Sequence, residues 1–443
     1  MSTISIAEAF AQMLKEPLPL RFTAYDGSAT GPEDSPYRFD LRSERGLSYL
    51  LTAPGDLGLS RAYVSGDLVI DGVHPGDPYE VLKVAQKSLK FRRPSPSEAI
   101  TLVRSLGVSH LRPPAPPPEE AIPRWRRVVE GVRHSLGRDA EAIHHHYDVS
   151  NRFYELVLGP SMTYTCAVYP TAGATLEEAQ FAKYDLVARK LDLQPGQRLL
   201  DIGCGWGGMV RHAAREYGVS VLGVTLSREQ AAWAQQKIKE ERLDHLAEVR
   251  FLDYRDVTET DFDAVSSIGL TEHIGLKNLG SYFTFLAAKL RPEGRMLNHT
   301  ITRASNRQDV RAGKFIDRYI FPDGELEGPG TIVSAMHDHG LEVRHEENLR
   351  EHYAMTLREW GANLERGWDE AVAEAGEHRA RLWRLYIASS RFGFDVNTIE
   401  LHQVLGVRVG TDGRSGMPLR YDWNAMRAPV EDEQERVESP AAA

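Results

Sequence analysis

The sequence predicts an α/β protein: a doubly wound parallel sheet with helical additions, preceded by a small N-terminal α+β domain. Three observations carry this expectation. From about residue 182 onward, apolar runs at 198–202, 219–225, 247–252, 262–269 and 294–300 read as strands. Stretches of helical spacing fall between them, at 209–217, 228–241 and 279–290, and a strand–helix rhythm of this kind builds a parallel sheet. The seven residues Asp201-Ile202-Gly203-Cys204-Gly205-Trp206-Gly207 join the first strand to the first helix, and strand, glycine-rich turn, helix is the setting in which such a motif has meaning. Finally, Pro113-Pro114-Ala115-Pro116-Pro117-Pro118 interrupts the chain with a stretch that suits neither helix interior nor central strand and acts as a semi-rigid spacer.

The elements follow in order. Before the proline run, 18–25, 38–41, 49–51 and 68–70 read as short strands, and 78–90 and 96–107 as helices. The expected organisation is an N-terminal domain at 1–112, a linker at 113–123, the main domain at 124–427 and a tail at 428–443. The tail holds five acidic residues and ends in Pro440-Ala-Ala-Ala, a composition typical of disorder.

Bulk properties narrow the class. The chain has 443 residues, 42% hydrophobic and 26% charged, as expected for a soluble globular protein. No apolar run approaches the roughly 18 residues of a membrane span. The first sixteen residues lack the basic start and apolar block of a signal peptide. Two cysteines, Cys166 and Cys204, make no disulfide framework, so a reducing cytoplasm is the expected compartment. A net charge of −10 argues against general nucleic-acid binding. Two basic clusters stand out on this acidic chain: Lys83, Lys87, Lys90, Arg92 and Arg93, then Arg124, Arg126, Arg127 and Arg133. They are read either as contacts to an anionic membrane surface or as solvated helix faces.

Ligands of such sheets bind at the carboxyl ends of the strands, so motifs there are the informative ones. Glycines let backbone N–H groups approach a ligand, and the following helix N-terminus favours negative charge. Gly203, Gly205 and Gly208 also satisfy the dinucleotide pattern, but two features favour S-adenosylmethionine. Asp201 precedes the first glycine by two residues. The second strand ends in Thr225-Leu226-Ser227, with no acid to hold a ribose, whereas these hydroxyls with Gln230 could bind it. Asp253, flanked by Tyr254 and Arg255, could meet the adenine amino group. Taken singly, each hydroxyl is as readily a helix N-cap; taken together they predict a class I, Rossmann-like methyltransferase.

The catalytic candidates follow the next two strands. Glu272 and His273 come after 262–269 and His299 ends 294–300; neighbouring strands would bring Glu272 and His299 together beside the cofactor. A buried carboxylate and imidazole could bind a small anion, orient a base or bind a metal. A metal is disfavoured because further ligands at suitable spacing are missing. In His144-His145-His146, consecutive side chains point in different directions. Cys166, in Tyr164-Thr165-Cys166, invites a nucleophile reading, but no base adjoins it and inert packing is the simpler role.

These pieces in this order resemble the cyclopropane fatty acid synthases. The resemblance is carried by His145-His146-Tyr147-Asp148-Val149-Ser150-Asn151, Met162-Thr163-Tyr164-Thr165-Cys166, Asp201 to Gly208, Thr225-Leu226-Ser227 with Gln230, and Asp253-Tyr254-Arg255-Asp256. It continues through Glu272-His273-Ile274-Gly275, His299-Thr300-Ile301 and Tyr319-Ile320-Phe321-Pro322, covering about 124–408. It implies that S-adenosylmethionine lies against the glycine loop, including Gly207, and against Tyr164 and Thr165. It also implies an active-site bicarbonate acting as base, held by the side chains of Glu272, His299 and Tyr353 and by backbone groups of Cys166 and Ile301.

Methyl transfer to an isolated alkene leaves a carbocation, for which Tyr147, Tyr164, Tyr319, Phe321 and Tyr353 are candidate aromatic partners. Two products are open: ring closure to a cyclopropane, or a hydride shift and proton loss giving a 10-methylene-stearoyl chain. Phe22 to Ser28, Gly269-Leu270-Thr271 and Pro322-Asp323-Gly324-Glu325-Leu326 look more like the methylene-forming subgroup, which implies a flavin-dependent reductase partner. The resemblance further implies an unsaturated phospholipid substrate, a lipid-facing N-terminal domain, peripheral attachment to the inner face of the cell membrane, and a homodimer. Family members often carry a cysteine where Ser390 stands, so a covalent cysteine mechanism is not supported.

Overall fold

The computed structural model describes residues 4–71, 77–88, 90–120, 150–309, 313–322 and 324–421. Outside these lie Arg124, Arg126, Arg127 and Arg133, the segment from His144 to Val149, Asp323 and the tail at 428–443.

The first four strands, β1 (Arg21–Ala24), β2 (Ala29–Thr30), β3 (Arg38–Leu41) and β4 (Leu68–Asp71), form a small sheet in the order β2-β1-β3-β4. The expectation of a strand at 49–51 is overturned: these residues lie inside the helix Glu44–Thr52. The hydroxyl of Ser43 accepts from the Gly46 N–H and caps that helix, a local start signal that outweighs the short apolar run. Helix Pro96–Leu106 begins the same way, with a reciprocal box between Ser95 and Glu98 and proline in the first turn.

The large sheet has seven strands: β5 (Arg198–Ile202), β6 (Ser220–Thr225), β7 (Ala247–Phe251), β8 (Phe262–Ile268), β9 (Leu290–Arg303), β10 (Glu342–Asn348) and β11 (Ile399–Val407). Their order is β10-β11-β9-β8-β5-β6-β7. β5 to β9 are parallel, and β11 runs antiparallel between β9 and β10. The five expected strands are present within a few residues, β9 being the longest. β10 and β11 had not been expected. β10 is a polar edge strand, Glu-Val-Arg-His-Glu-Glu-Asn, and carries no apolar alternation. β11 is interrupted by His402 and Gln403, both buried.

Chain order reverses at β5, between β6 and β8, the switch point at which ligands bind in such sheets. Beyond β9 a helical layer, Arg350–Arg366 and Glu377–Asp395, packs together with Asn151–Leu158 over the strand ends. One apolar cluster runs from Phe22, Leu41 and Tyr63 of the N-terminal region into Phe153, Trp360 and Trp383.

The segment after the proline run ties these parts together. Arg61 grips the Glu120 carboxylate through Nε at 2.6 Å and Nη2 at 2.7 Å, and the Tyr319 hydroxyl donates to it at 3.2 Å. The Glu120 side chain is only 3% exposed. Arg61→Ala would leave that carboxylate buried without its cation, a change expected to cost about 3–5 kcal/mol. Urea denaturation of the variant should show it as a lower midpoint; an unchanged midpoint would mean that water replaces the guanidinium freely.

Candidate active site

The first half of the site grows from the β5 turn. Gly203, Gly205 and Gly207 have φ of +70°, +54° and +73°, conformations that L side chains rarely adopt. A Cβ on Gly205 would project into open space. Gly203 and Gly205 line a cleft of about 720 Å³ together with Thr225, Leu226, Gln230, Tyr254 and Arg255. The Thr225 hydroxyl donates to Gln230 Oε1 at 2.9 Å, which turns the amide NH₂ inward. Gln230 Nε2 is buried and has no protein partner. An open glycine wall and an orphaned donor fit a nucleoside with ribose hydroxyls.

Other sequence-selected residues serve this cleft from behind. Asp201 is buried and accepts from the Ser266 hydroxyl at 2.6 Å; burial pushes its carboxyl up to about 7, against the pull of Lys183 and that hydrogen bond. Gly207 starts the helix Gly208–Tyr217, and a Cβ there would press on Ala234 at 3.0 Å. Ser227 caps the helix Arg228–Glu240 by accepting from the Gln230 N–H. The Asp253 carboxylate is occupied by the Arg255 side chain at 2.7 and 2.8 Å and by the Arg255 N–H at 2.9 Å. It therefore shapes the turn that presents Tyr254 and Arg255.

The second half is a larger cavity of about 1080 Å³. Gly269 and His273 line both spaces, so the two adjoin. Tyr164, Thr165, Cys166, Glu272, His299, Ile301 and Tyr353 all line the second one. Tyr164 and Thr165 thus stand on the larger cavity, where Gly269 packs against Thr165. The β8–β9 pairing explains the meeting of Glu272 and His299. Ile268 is in register with His299, and the Gly269 N–H donates to the His299 carbonyl at 2.8 Å. The chain then turns into a short 3₁₀ segment, Thr271–His273, that points Glu272 back across β9.

Glu272 Oε1 accepts from the Ile301 N–H at 2.7 Å, while Oε2 has no partner. Burial pushes this carboxyl up to about 7, although the hydrogen bond from Ile301 opposes the shift. The Ile301 N–H is therefore engaged by Glu272. His299 is buried, with Nδ1 3.1 Å from Gln403 Nε2 and its other ring nitrogen unpartnered. Desolvation, with Lys183 and Lys190 nearby, holds the imidazole well below its usual range and keeps it neutral. The Cys166 thiol is buried and raised by desolvation; it donates to the Ala167 carbonyl at 3.1 Å, the state of a packed rather than a reactive thiol.

Of the aromatic candidates, Tyr164, Phe321 and Tyr353 line the cavity, whereas Tyr319 is buried with its hydroxyl on Glu120. Tyr386 and Phe394, on the helix Glu377–Asp395, also line it, and the Tyr164 hydroxyl donates to the Tyr386 oxygen at 2.9 Å. Sequence reasoning missed both, because nothing near them repeats as a motif. Gln403 was missed as well, although an amide inside the apolar run from Leu401 to Val407 is a signal. Ser390 lies on the cavity wall. Among the described residues, no group of three or more His, Cys, Asp or Glu side chains is placed to hold a metal.

A seven-stranded sheet in this order, with a glycine-walled cleft at the ends of β5 and β6, defines a class I S-adenosylmethionine-dependent methyltransferase. Solved structures agree. The cyclopropane synthase MmaA2 from Mycobacterium tuberculosis superposes with a TM-score of 0.58 at 35% identity, over 61% of this chain and 98% of that one. The mycolic acid cyclopropane synthase CmaA1, complexed with SAH and CTAB, gives 0.58 at 33% identity over 62% and 99%.

The chain belongs to the mycolic acid cyclopropane synthetase family, whose model matches residues 134–404. It is 61% identical to "Probable fatty acid methyltransferase Rv3720" of Mycobacterium tuberculosis, over 91% of this chain and 95% of the relative. It is 40% identical to a "Probable fatty acid methyltransferase" of Pseudomonas putida over 90% and 95%. With the cyclopropane-fatty-acyl-phospholipid synthase of Escherichia coli it shares 37% identity, over 59% of this chain and 66% of the relative.

Proposed function

We propose that the protein methylates the double bond of an unsaturated, oleoyl-type phospholipid acyl chain and converts it to a 10-methylene-stearoyl chain. The observation that carries this reading is the junction of the two spaces at Gly269 and His273. A cleft that fits a nucleoside there meets a larger apolar chamber, and Glu272 Oε2 and His299 Nε2 are unpartnered at the chamber's wall. S-adenosylmethionine supplies an electrophilic methyl group, and bicarbonate supplies a base.

The chain's own contribution is placement and insulation. Gln230 and the glycine wall hold the nucleoside. Glu272, about half protonated near pH 7, offers a donor to a small anion in its protonated form, as does neutral His299, and Tyr353 lines the same cavity. A protonated carboxyl resolves the difficulty of seating a glutamate beside an anion. Tyr164, Phe321, Tyr353 and Tyr386 turn a ring-rich wall to the cavity, which favours a developing cation on the acyl chain, and an apolar lining excludes the water that would quench it. Identity of 61% to a probable fatty acid methyltransferase supports methyl transfer to a fatty acyl chain, and the likeness of 22–28, 269–271 and 322–326 to the methylene-forming subgroup favours the methylene product. Ring closure on the same substrate is the second reading, favoured by the likeness to cyclopropane synthases.

The test is incubation with S-adenosylmethionine and vesicles of oleoyl phospholipid, followed by proton NMR of the extracted lipid. Vinylidene signals are expected. Cyclopropane signals would select the second reading, and unchanged olefin would sink both. Removal of bicarbonate from the buffer is expected to lower the rate.

The reading extends to the membrane. No described helix is long and apolar enough to cross one. Phe91, Ile100, Val108 and Leu111 are exposed, at 54%, 54%, 67% and 45%, close in sequence to exposed Lys90, Arg93, Arg104 and Arg112. Apolar anchors among cations suit peripheral attachment to an anionic bilayer face. Val108→Asp with Leu111→Asp is expected to weaken co-sedimentation with anionic vesicles by about 30- to 150-fold, since two apolar side chains inserted in the bilayer contribute on the order of 2–3 kcal/mol and each 1.4 kcal/mol is about tenfold; equal sedimentation would place attachment elsewhere. A homodimer and a flavin-dependent reductase that takes up the methylene product complete the proposal.

A further inference from the structure

We propose that Lys190 and Gln403 are positioning residues that lock His299 in its Nε2–H tautomer, so that the site presents a fixed N–H donor to the anion. The consequence for turnover rests on the function proposed above; the tautomer itself does not. The three groups lie on one rung of the sheet. Glu347 of β10 is in register with Gln403 of β11, and Gln403 is in register with His299 of β9. Side chains directly opposite across antiparallel strands share a face. Lys190, wholly buried near the end of the helix Leu176–Leu191, reaches this rung. Its Nζ lies 2.5 Å from Glu347 Oε2 and 2.7 Å from Gln403 Oε1.

Donor and acceptor inventory then settles the chain of bonds. Paired with the Glu347 carboxylate, Lys190 is an ammonium with N–H donors and no lone pair, so the amide oxygen must face Lys190. That leaves the amide NH₂ as the group 3.1 Å from His299 Nδ1. An amide NH₂ only donates, so Nδ1 must be the bare, accepting nitrogen. The ring is neutral, and its single proton therefore sits on Nε2, the nitrogen without a protein partner. Protonation of Nδ1 would set two donors face to face, so the arrangement also opposes the imidazolium form. The assignment follows from the chemistry of the partners and does not depend on which amide atom was labelled oxygen.

The test is ¹⁵N NMR of histidine-labelled full-length protein, in which the two neutral tautomers have distinct nitrogen shifts. The His299 signals are assigned by their loss in His299→Asn. The wild-type protein is expected to show Nε2–H. In Gln403→Glu the size is kept and Lys190 retains an acceptor, but a carboxylate accepts from Nδ1–H. The tautomer is expected to reverse, and turnover to fall about 10²-fold, the usual effect of losing one preorganised donor, with S-adenosylmethionine affinity unchanged. Lys190→Met, which frees the amide to rotate, is expected to give a mixture of tautomers and guards against misfolding of the first variant. Nδ1–H in the wild type, or Nε2–H persisting in both variants, overturns the proposal. Reversal with full turnover would keep the positioning role and overturn the role of His299 in the proposed reaction.

Discussion

Glu272→Gln is expected to lower turnover by on the order of 10²- to 10⁴-fold, the range for removal of a group that manages a proton in the transition state. The affinity for S-adenosylmethionine should stay within about twofold, because Glu272 lines the larger cavity and not the nucleoside cleft. Glutamine keeps the shape and can still accept from the Ile301 N–H through its carbonyl, as Glu272 Oε1 does at 2.7 Å. What it loses is the ability to carry and release a proton. Single-turnover assays with isothermal titration of the cofactor separate the two effects; normal turnover would remove Glu272 from the chemistry.

The same variant makes a pH prediction of definite sign. The carboxyl sits at about 7 in the folded protein against 4.5 in a free chain. Below about pH 4.5 both states are protonated and burial costs nothing extra. As pH rises through 7 the folded protein must hold a desolvated charge and loses stability relative to the unfolded chain. Glutamine stays neutral throughout. The melting temperature of Glu272→Gln is therefore expected to match the wild type near pH 4.5 and exceed it increasingly up to pH 8. The plateau corresponds to on the order of 3 kcal/mol, at about 1.4 kcal/mol per unit of pKa between 4.5 and about 7. A difference that shrank with rising pH would contradict burial as the cause of the shift.

Gly205→Val is expected to abolish measurable cofactor binding, by about 10²-fold or more. Two costs coincide. The backbone has a φ of +54°, where a β-branched residue is strained by roughly 1–2 kcal/mol. Its Cβ would also point where no protein atom lies within 4 Å, on the wall of the nucleoside cleft, so the added methyls displace ligand rather than protein. Gly205→Ala tests the division: it keeps much of the backbone cost and adds less bulk, so its effect should be smaller. Retained affinity in the valine variant would mean that the nucleoside does not approach this turn.

Local chemistry makes the cofactor half of the site legible in the sequence. Glycines at 203 and 205, hydroxyls at 225 and 227, and Gln230 lie close along the chain, and the strand–turn–helix context fixes their use. The roles within the set were less legible. Ser227 caps a helix and Asp253 organises its own turn through Arg255, as a hydroxyl or carboxylate beside a helix start often does. The strand at 49–51 was misread because three apolar residues in a row do not distinguish strand from buried helix face, and the cap at Ser43 decided it.

The sequence by itself determined the Rossmann-like sheet, the cofactor class, and the placing of Glu272 and His299 at one cavity, since these depend on short-range pattern and on the adjacency of successive parallel strands. Only the tertiary structure decided what surrounds them. β11 enters from about a hundred residues later and inserts antiparallel between β9 and β10, carrying Gln403 to His299; the helix Glu377–Asp395 brings Tyr386 and Phe394 to the cavity wall. No local periodicity encodes such contacts. They arise because apolar faces far apart in the chain find a common core, and the few polar groups buried with them must find one another.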